Sequence, residues 1–304
     1  MKKLICAISA AILCGAARAE EPVGEETSDI VSAEVSISFD SKYLSYGLVD
    51  NNEPILTPDA SITIMDWLTI GAYAIFDVTK YGHRAGYTAR QFEYNELHPY
   101  AEIGHSFSSE DFEWLPTTVE FSFGYDYEYH PNSKRKGTPV EDEDTGDFLG
   151  WDKSMDEDTQ FVTFELSLPD LWFEPAFLYE RDIMRDNGTY LNLELGHTFA
   201  LIDGEDEDSD PVLSLRPSIA QGWGSRQRVA AYLESPNRNG LMDTAVKCAL
   251  TWAICDTLEL SGYVQYTDFL FDSGIRDAAR EYEATGDWHD SYNFTGGFAL
   301  TASF

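Results

Sequence analysis

The residues of this chain that could do chemistry are mostly carboxylates, and they recur at every second position in several short runs. In the segment 119–129, Glu120, Asp126 and Glu128 alternate with phenylalanine and tyrosine. Successive side chains of a β-strand point to opposite faces, so these acids share one face and the aromatic residues share the other. The pattern predicts strands with one face toward water and one face toward an apolar phase.

Acids greatly outnumber bases on the polar faces that this alternation defines. Parity places thirteen acids there, against the three bases Lys42, Arg216 and Lys247. The acids are Glu34, Asp40, Asp77, Glu96, Glu102, Glu120, Asp126, Glu128, Glu165, Glu174, Glu180, Glu194 and Glu259. Three bases can pair with few of them, so we expect most of these carboxylates to meet water rather than a dry interior.

A closed wall of such strands would enclose a wet, acidic lumen. Rings of carboxylates in a water-filled pore favour cations over anions. The sequence therefore predicts a pore lined by Glu34, Glu96, Glu102, Glu120, Asp126, Glu165, Glu194, Arg216, Lys247 and Glu259. Passive passage of solutes with a preference for cations is the leading functional hypothesis.

The histidines are the residues through which this chain could act as an enzyme instead of a channel. The segments 102–107 and 194–199 repeat one pattern, with Gly-His-Ser-Phe at His105 and Gly-His-Thr-Phe at His197. A hydrolase needs its histidine beside the nucleophile, whereas alternation puts each histidine and the next hydroxyl on opposite faces. We expect both histidines at the membrane interface. The run Asp287-Trp288-His289-Asp290 is the remaining hint of an enzyme, and we predict neither catalysis nor a cofactor.

Two acidic runs are candidate sites for divalent cations. They are Glu141-Asp142-Glu143-Asp144 and the segment 203–210. Carboxylate oxygens suit Ca²⁺ or Mg²⁺, but neither run has the spacing of a twelve-residue calcium loop. Solvated charge is therefore the favoured interpretation, with cation binding as the alternative. The nearby Lys134-Arg135-Lys136 could pair with the first run or contact lipopolysaccharide phosphate.

Twelve segments carry the alternation with one apolar face. Joins after even-numbered segments are mostly short, as at 169–170 and 256–257, and joins after odd-numbered segments are mostly long, as at 131–158. This predicts an all-β fold, a transmembrane antiparallel up-and-down barrel with both termini in the periplasm. The joins at 185–188 and 202–211 break the rule, which leaves counts of about 10 to 14 strands open.

A secreted β-sandwich would show a similar alternation. Its outward faces should be polar, whereas one face of these segments is rich in Phe, Leu, Val and Tyr. The opposite face holds several Glu in the middle of strands, which a sandwich core does not explain. The barrel is the better interpretation, and the inward folding of 131–158 stays open.

The start of the chain is typical of a secretory signal. Lys2 and Lys3 precede a short apolar run, and Ala17-Arg18-Ala19 forms a small-x-small cleavage site. We assign residues 1–19 to the signal, residues 20–30 to a short N-terminal periplasmic segment and residues 31–304 to the outer-membrane barrel.

The last strand also carries a targeting pattern. Phe298, Leu300 and Phe304 fall on one of its faces, and the chain stops on an aromatic residue. Such closing strands are expected to be read by the outer-membrane assembly machinery, so we predict these three residues to be an assembly signal.

The charge of the chain limits its partners. The formal net charge is −34 at pH 7, with 54 acidic residues against 20 Lys and Arg. This balance argues against nucleic acid as a partner. The expected partners are outer-membrane lipid, lipopolysaccharide and the assembly machinery.

The segment Phe39-Asp40-Ser41-Lys42-Tyr43-Leu44-Ser45-Tyr46-Gly47-Leu48, with Pro54 and Pro58 after it, resembles the opening of the TorF-type porins. That family begins with a strand, a Ser-x-Tyr element, a Gly turn and an Asn…Pro loop, and 66–73 is similar to its next hairpin. The match covers about residues 33–76. Ser45-Tyr46 stands where the family usually has an Arg. The resemblance implies an outer-membrane barrel with channel function and carries no catalytic residues.

Two alternatives remain beside the channel. A barrel without conduction could serve envelope structure or surface binding through its acidic loops. An outer-membrane hydrolase would depend on His289.

Overall fold

A computed structural model describes residues 30–79, 82–83, 87–88, 92–108, 111–112, 114–131, 138–141, 148–152, 158–204, 211–233, 238–284 and 292–304. The predicted signal at 1–19 and nearly all of the segment 20–30 lie outside these residues. His289, Lys134-Arg135-Lys136, and most of both acidic runs and of loop 131–158 lie outside them too.

Strands dominate the described chain. In chain order they are β1 (Val31–Asp40), β2 (Tyr43–Ser45), β3 (Leu48–Asn51), β4 (Ile55–Ile64), β5 (Leu68–Asp77), β6 (Gly82–His83), β7 (Tyr87–Thr88), β8 (Glu93–Phe107), β9 (Val119–Glu128), β10 (Thr138–Glu141), β11 (Phe148–Asp152), β12 (Thr159–Ser167), β13 (Ala176–Asp182), β14 (Thr189–Gly196), β15 (Phe199–Ile202), β16 (Leu213–Gly224), β17 (Gly240–Cys255), β18 (Leu258–Asp268) and β19 (Tyr292–Ser303). Among the described residues, two helices, α1 (Arg226–Leu233) and α2 (Ser273–Ala284), follow β16 and β18.

Twelve of the strands form a closed antiparallel barrel. Their order around the wall is β1, β4, β5, β8, β9, β12, β13, β14, β16, β17, β18 and β19. The ring closes where Phe298 lies opposite Phe39 and where Leu195 lies opposite Ile219. The short β15 extends the sheet beside the start of β16. Closure pairs both edges of each of the twelve wall strands, which a membrane requires. The predicted twelve-stranded barrel is confirmed.

The two ends of the barrel differ in their connections. At the short-turn end, 65–67 and 256–257 are tight turns, and 168–175 is also brief. At the long-loop end, joins such as 41–54 and 269–291 are longer. Both irregular joins seen in the sequence are real, at 183–188 and around β15, and neither changes the strand count.

An apolar belt surrounds the outside of the wall. These outward side chains, from different strands around the ring, are 46–65 % exposed: Ile62, Ile70, Ile103, Phe123, Leu193, Ile219, Val264 and Phe298. Such a belt fits the hydrocarbon of a bilayer and gives the chain the architecture of outer-membrane β-barrels. No helix in the described part of the chain is long and apolar enough to cross a membrane.

A hydrophobic core lies at the long-loop end. Val229 and Leu233 lie four residues apart on α1, and Ile275 and Ala279 do so on α2, so each pair shares one helix face. These faces pack with wall residues and with the β2–β3 segment into a buried cluster of Leu48, Tyr190, Val229, Leu233, Met242, Phe269, Ile275 and Ala279. The helices and the β2–β3 segment therefore form a folded layer at the long-loop end of the barrel.

Candidate functional site

The short-turn half of the lumen contains a cavity of about 560 Å³. Four predicted pore-lining acids, Glu102, Glu120, Glu165 and Glu194, contribute to its wall. Glu34, Glu120, Glu165 and Glu259 are exposed although alternation turns them inward. Their side chains therefore meet water inside the barrel.

Two of the three predicted lumen bases, Arg216 and Lys247, have partners in the described structure. Arg216 donates from Nε to Glu174 Oε2 at 3.0 Å and from Nη1 to Glu194. Glu174 also accepts a bond from the Thr198 hydroxyl at 2.9 Å. Lys247 places its Nζ 4.9 Å from the centre of the Tyr263 ring. Arg216 therefore pairs with the acids on its own side of the wall, Glu174 and Glu194.

The first long loop folds into the barrel as a hairpin made of β2 and β3, which we call the inward hairpin (residues 43–51). Tyr46 and Gly47 have φ angles of 51° and 86° at its tip. Two central residues with positive φ make a type I′ turn, the natural connection for twisted strands. A Cβ on Gly47 would lie 2.5 Å from the Cβ of Asp243 on β17, so only glycine allows this approach.

Tyr46 fixes the hairpin to the wall and to α1. Its hydroxyl donates to Glu180 on β13 and accepts from Arg228 Nη1 at 3.0 Å. Its ring packs edge-on against Tyr190 and Tyr232, with centroid distances of 4.8 and 4.7 Å. Burial, and then the Glu180 carboxylate, raise the pKa of the Tyr46 hydroxyl well above its usual value, so it stays a donor.

Arg228 is the buried cation of this region. Its side chain is fully buried, 3.1 Å from Glu180 and 3.5 Å from Asp186, and its guanidinium lies 4.6 Å from the Tyr46 ring centre. A buried charge is tolerated only when it is paired in this way. The cluster of Arg228, Glu180, Asp186 and Tyr46 therefore locks the inward hairpin in place.

A second polar cluster lies on the wall at β8 and the end of β9, two to three strands from β13. His98 is within 3.3 Å of Glu96 and 3.2 Å of Asp126, and Tyr73 contacts its Nδ1 at 2.9 Å. Tyr43 of the inward hairpin donates to Glu96 at 3.2 Å. Glu96 and Asp126, which the sequence predicts to be solvated, are instead largely buried among these partners. The difference arises because the hairpin occupies the lumen at this level.

Space remains between the inward hairpin and one side of the wall. A cavity of about 330 Å³ lies there, lined by polar residues that include Asp40, Lys42, Tyr43, Tyr73 and Tyr263. Tyr263 donates to Asp40 at 2.7 Å across its rim. The long-loop half of the lumen is thus narrowed, with a polar space beside the hairpin.

The two histidines considered for catalysis and the residues of the predicted assembly signal lie on the outer face of the barrel. His105 stacks on Trp67 at 4.1 Å and His197 on Trp172 at 4.8 Å, both near the short-turn end, which is where an interfacial residue should lie. Phe298 stacks on Phe39 at 5.4 Å. Leu300 pairs with Ile37, and Phe304 is 43 % exposed. Their role in assembly stays a prediction.

Sequence reasoning missed the inward hairpin and the His98 cluster. The second had a visible signal, because Glu96-Leu97-His98 and Asp126-Tyr127-Glu128-Tyr129-His130 alternate acids and histidines with outward residues. Strands in register bring such patterns together on one face. The hairpin had only its Tyr-Gly turn as a local signal.

No protein-family model matches the chain, and no curated protein matches it. Solved structures give weak similarities. An outer membrane channel from Pseudomonas putida F1 has a TM-score of 0.46 at 10% identity and covers 94% of this chain and 100% of its own. OmpT, an outer membrane protein of Vibrio cholerae, has a TM-score of 0.35 at 8% identity, with 90% and 96% covered. OccAB1 of Acinetobacter baumannii has a TM-score of 0.39 at 8% identity, with 92% and 66% covered. At these scores the functional assignment rests on the residues of this chain.

Proposed function

We propose that the protein is a passive channel of the bacterial outer membrane that prefers cations. The observation that carries the proposal is the set of water-exposed carboxylates on the inner wall, Glu34, Glu120 and Glu165. A dry, filled lumen would bury such groups, so their exposure supports a lumen that contains water.

The balance of charge sets the preference. Arg216 is matched by Glu174 and Glu194, so it adds no net positive charge to the wall. Glu102 and Glu120 border the same cavity on neighbouring strands, and they stay uncompensated by Arg216. An acidic wall attracts cations electrostatically and repels anions.

The test is the reversal potential of the purified barrel in planar bilayers under a salt gradient. We expect the reversal potential to have the sign that corresponds to a higher permeability for K⁺ than for the anion. The preference should weaken as salt rises, because the screening length falls from about 10 Å at 0.1 M to about 3 Å at 1 M. A reversal potential near zero at low salt, or one of anion sign, would refute the cation preference.

A second candidate is a barrel that does not conduct. The inward hairpin and the buried cluster at the long-loop end favour it, because both occupy the mouth. Its signature is a folded barrel that inserts into bilayers and passes no current. The two candidates thus give opposite results in one measurement.

We further propose that the apolar belt contacts outer-membrane lipid and lipopolysaccharide, with the short-turn end in the periplasm. In this arrangement Phe298 and Leu300 face lipid and are available to the assembly machinery.

A further inference from the structure

We propose that the inner wall carries a binding site for a divalent transition-metal ion, formed by Glu96, Glu128 and His130. Each residue offers a ligand atom, and these atoms lie within 4.8 Å of one another. The site lies in the long-loop half of the lumen, apart from the acidic runs 141–144 and 203–210. It is independent of conduction, since a closed barrel would hold it equally well.

Strand register builds the site. Leu97 and Tyr129 form an antiparallel bridge with backbone bonds of 3.0 and 2.9 Å. The residues on either side of a bridge pair across the strands, so Glu96 lies opposite His130 and His98 lies opposite Glu128. All four have the lumen parity, because Tyr100 opposite Asp126 continues the same register. The arrangement is a rigid block on one face of two paired strands.

The position of His130 is fixed from outside the cluster. Asp158 accepts a bond from the His130 backbone N–H at 2.9 Å and another from the Tyr127 hydroxyl at 2.8 Å. The imidazole itself contacts Glu128 through Nε2 and lies 4.0 Å from Glu96 through Nδ1. The two carboxylates therefore flank the imidazole at its two ring nitrogens, and an ion would take one of these nitrogens together with one oxygen from each carboxylate.

The donor set indicates the class of metal. Two carboxylates and one neutral imidazole carry two negative charges, which balance a divalent ion. Imidazole favours Zn²⁺ and its neighbours over Ca²⁺ or Mg²⁺, which prefer oxygen alone. Metal bonds of about 2.0–2.2 Å would require side-chain rotations that bring one nitrogen of His130 and one oxygen of each carboxylate, now within 4.8 Å of one another, around a single point.

The surroundings supply the second layer that metal sites need. His98 holds Glu96 at 3.3 Å and Asp126 at 3.2 Å, and Tyr43 donates to Glu96 at 3.2 Å. The side chains of Glu96, Glu128 and His130 are only 14–17 % exposed, which shields their charges from bulk water. Such partners orient metal ligands and commonly change affinity by about 10–100-fold.

The experiment is calorimetric titration of Zn²⁺ into the chelator-treated, full-length barrel in detergent, with folding checked by heat-modifiable gel mobility. We expect one site that His130→Gln or Glu128→Gln weakens by about 100-fold or more, and His98→Gln by about 10-fold. The visible absorption of bound Co²⁺ should be lost in the His130→Gln variant and kept in wild type.

The matched control is His105→Gln, which removes an imidazole that stacks on Trp67 on the outer face. Its Zn²⁺ affinity should equal that of wild type. No Zn²⁺ binding by the folded wild-type barrel would overturn the proposal. So would binding that survives both His130→Gln and Glu128→Gln, since the ion would then sit on other acids. Conduction is not read in this experiment, so its outcome leaves the channel proposal untouched.

Discussion

The two halves of the lumen use the same alternating wall in opposite ways. In the short-turn half, Glu120 and Glu165 project into a cavity of about 560 Å³ and are exposed. In the long-loop half, Glu180 and Glu96 bond to tyrosines of a hairpin that fills the space in front of them. The alternation of a strand determines only that a carboxylate points inward. Whether that carboxylate contacts water depends on whether the inward hairpin packs in front of it.

Stability and ion selectivity therefore depend on different charged groups of the lumen. Buried, paired charges at the mouth hold the inward hairpin, and their loss should change structure. Solvated charges in the open half should change ion preference while the fold persists.

The largest effect is expected from Arg228→Ala. It leaves Glu180 and Asp186 without their buried cation, and loss of one partner of a buried pair costs about 3–5 kcal/mol. Amide hydrogen exchange should show lost protection in α1 and the inward hairpin, with β18 and β19 unchanged. Arg280→Ala is the control, since its pair with Asp277 is exposed and worth about 1 kcal/mol or less. Equal protection in both variants would show that Arg228 does not lock the hairpin.

The lipid face is common to both halves and should be the next most sensitive. Phe123 is 57 % exposed on the belt, and an Arg at the bilayer midplane costs about 2–4 kcal/mol. Its neighbour Ser122 borders the acidic cavity, where an Arg can approach Glu165. Phe123→Arg should therefore lower the free energy of unfolding in lipid far more than Ser122→Arg. Similar costs would mean that the two faces are assigned wrongly.

Gly47→Ala tests the inward hairpin directly. The added Cβ meets Asp243 at 2.5 Å at a φ of 86°, and strain of this kind costs about 1–3 kcal/mol. The hairpin should move off the wall, so single-channel conductance should rise. Gly262→Ala is the control, because its Cβ meets nothing closer than 3.5 Å. Unchanged conductance in Gly47→Ala would mean that the hairpin does not limit the pore.

Much of the fold could be predicted from the sequence because the side-chain period of a strand is local. Glu120 and Phe121 are adjacent, and their opposite faces follow from the backbone alone. The inward hairpin depends on contacts such as Arg228 to Tyr46, which join residues 182 positions apart. No local pattern states where such a loop will pack.

The candidate sites also differ in how far the sequence predicts them. The acids of the cavity wall follow from parity, including Glu102 and Glu165. The cluster of Glu96, His98 and His130 needs the register of β8 and β9, which the sequence does not fix because each strand can slide by two residues and keep its faces. Asp59, which accepts from Tyr100 at 3.3 Å, also faces inward and escaped notice because its strand alternates weakly.

The most direct test of the contrast is the reversal potential of Glu102→Gln/Glu120→Gln under a salt gradient. Gln keeps the size of both side chains, so the barrel should fold with little change in stability. Two carboxylates are lost from the cavity wall, so cation preference should fall clearly below that of wild type at about 0.1 M salt, where screening is weak. The matched variant Asp203→Asn/Asp256→Asn removes two exposed charges outside the cavity and should keep the wild-type value. An unchanged reversal potential in the first variant, or an equal shift in both, would contradict the assignment of selectivity to the open half of the lumen.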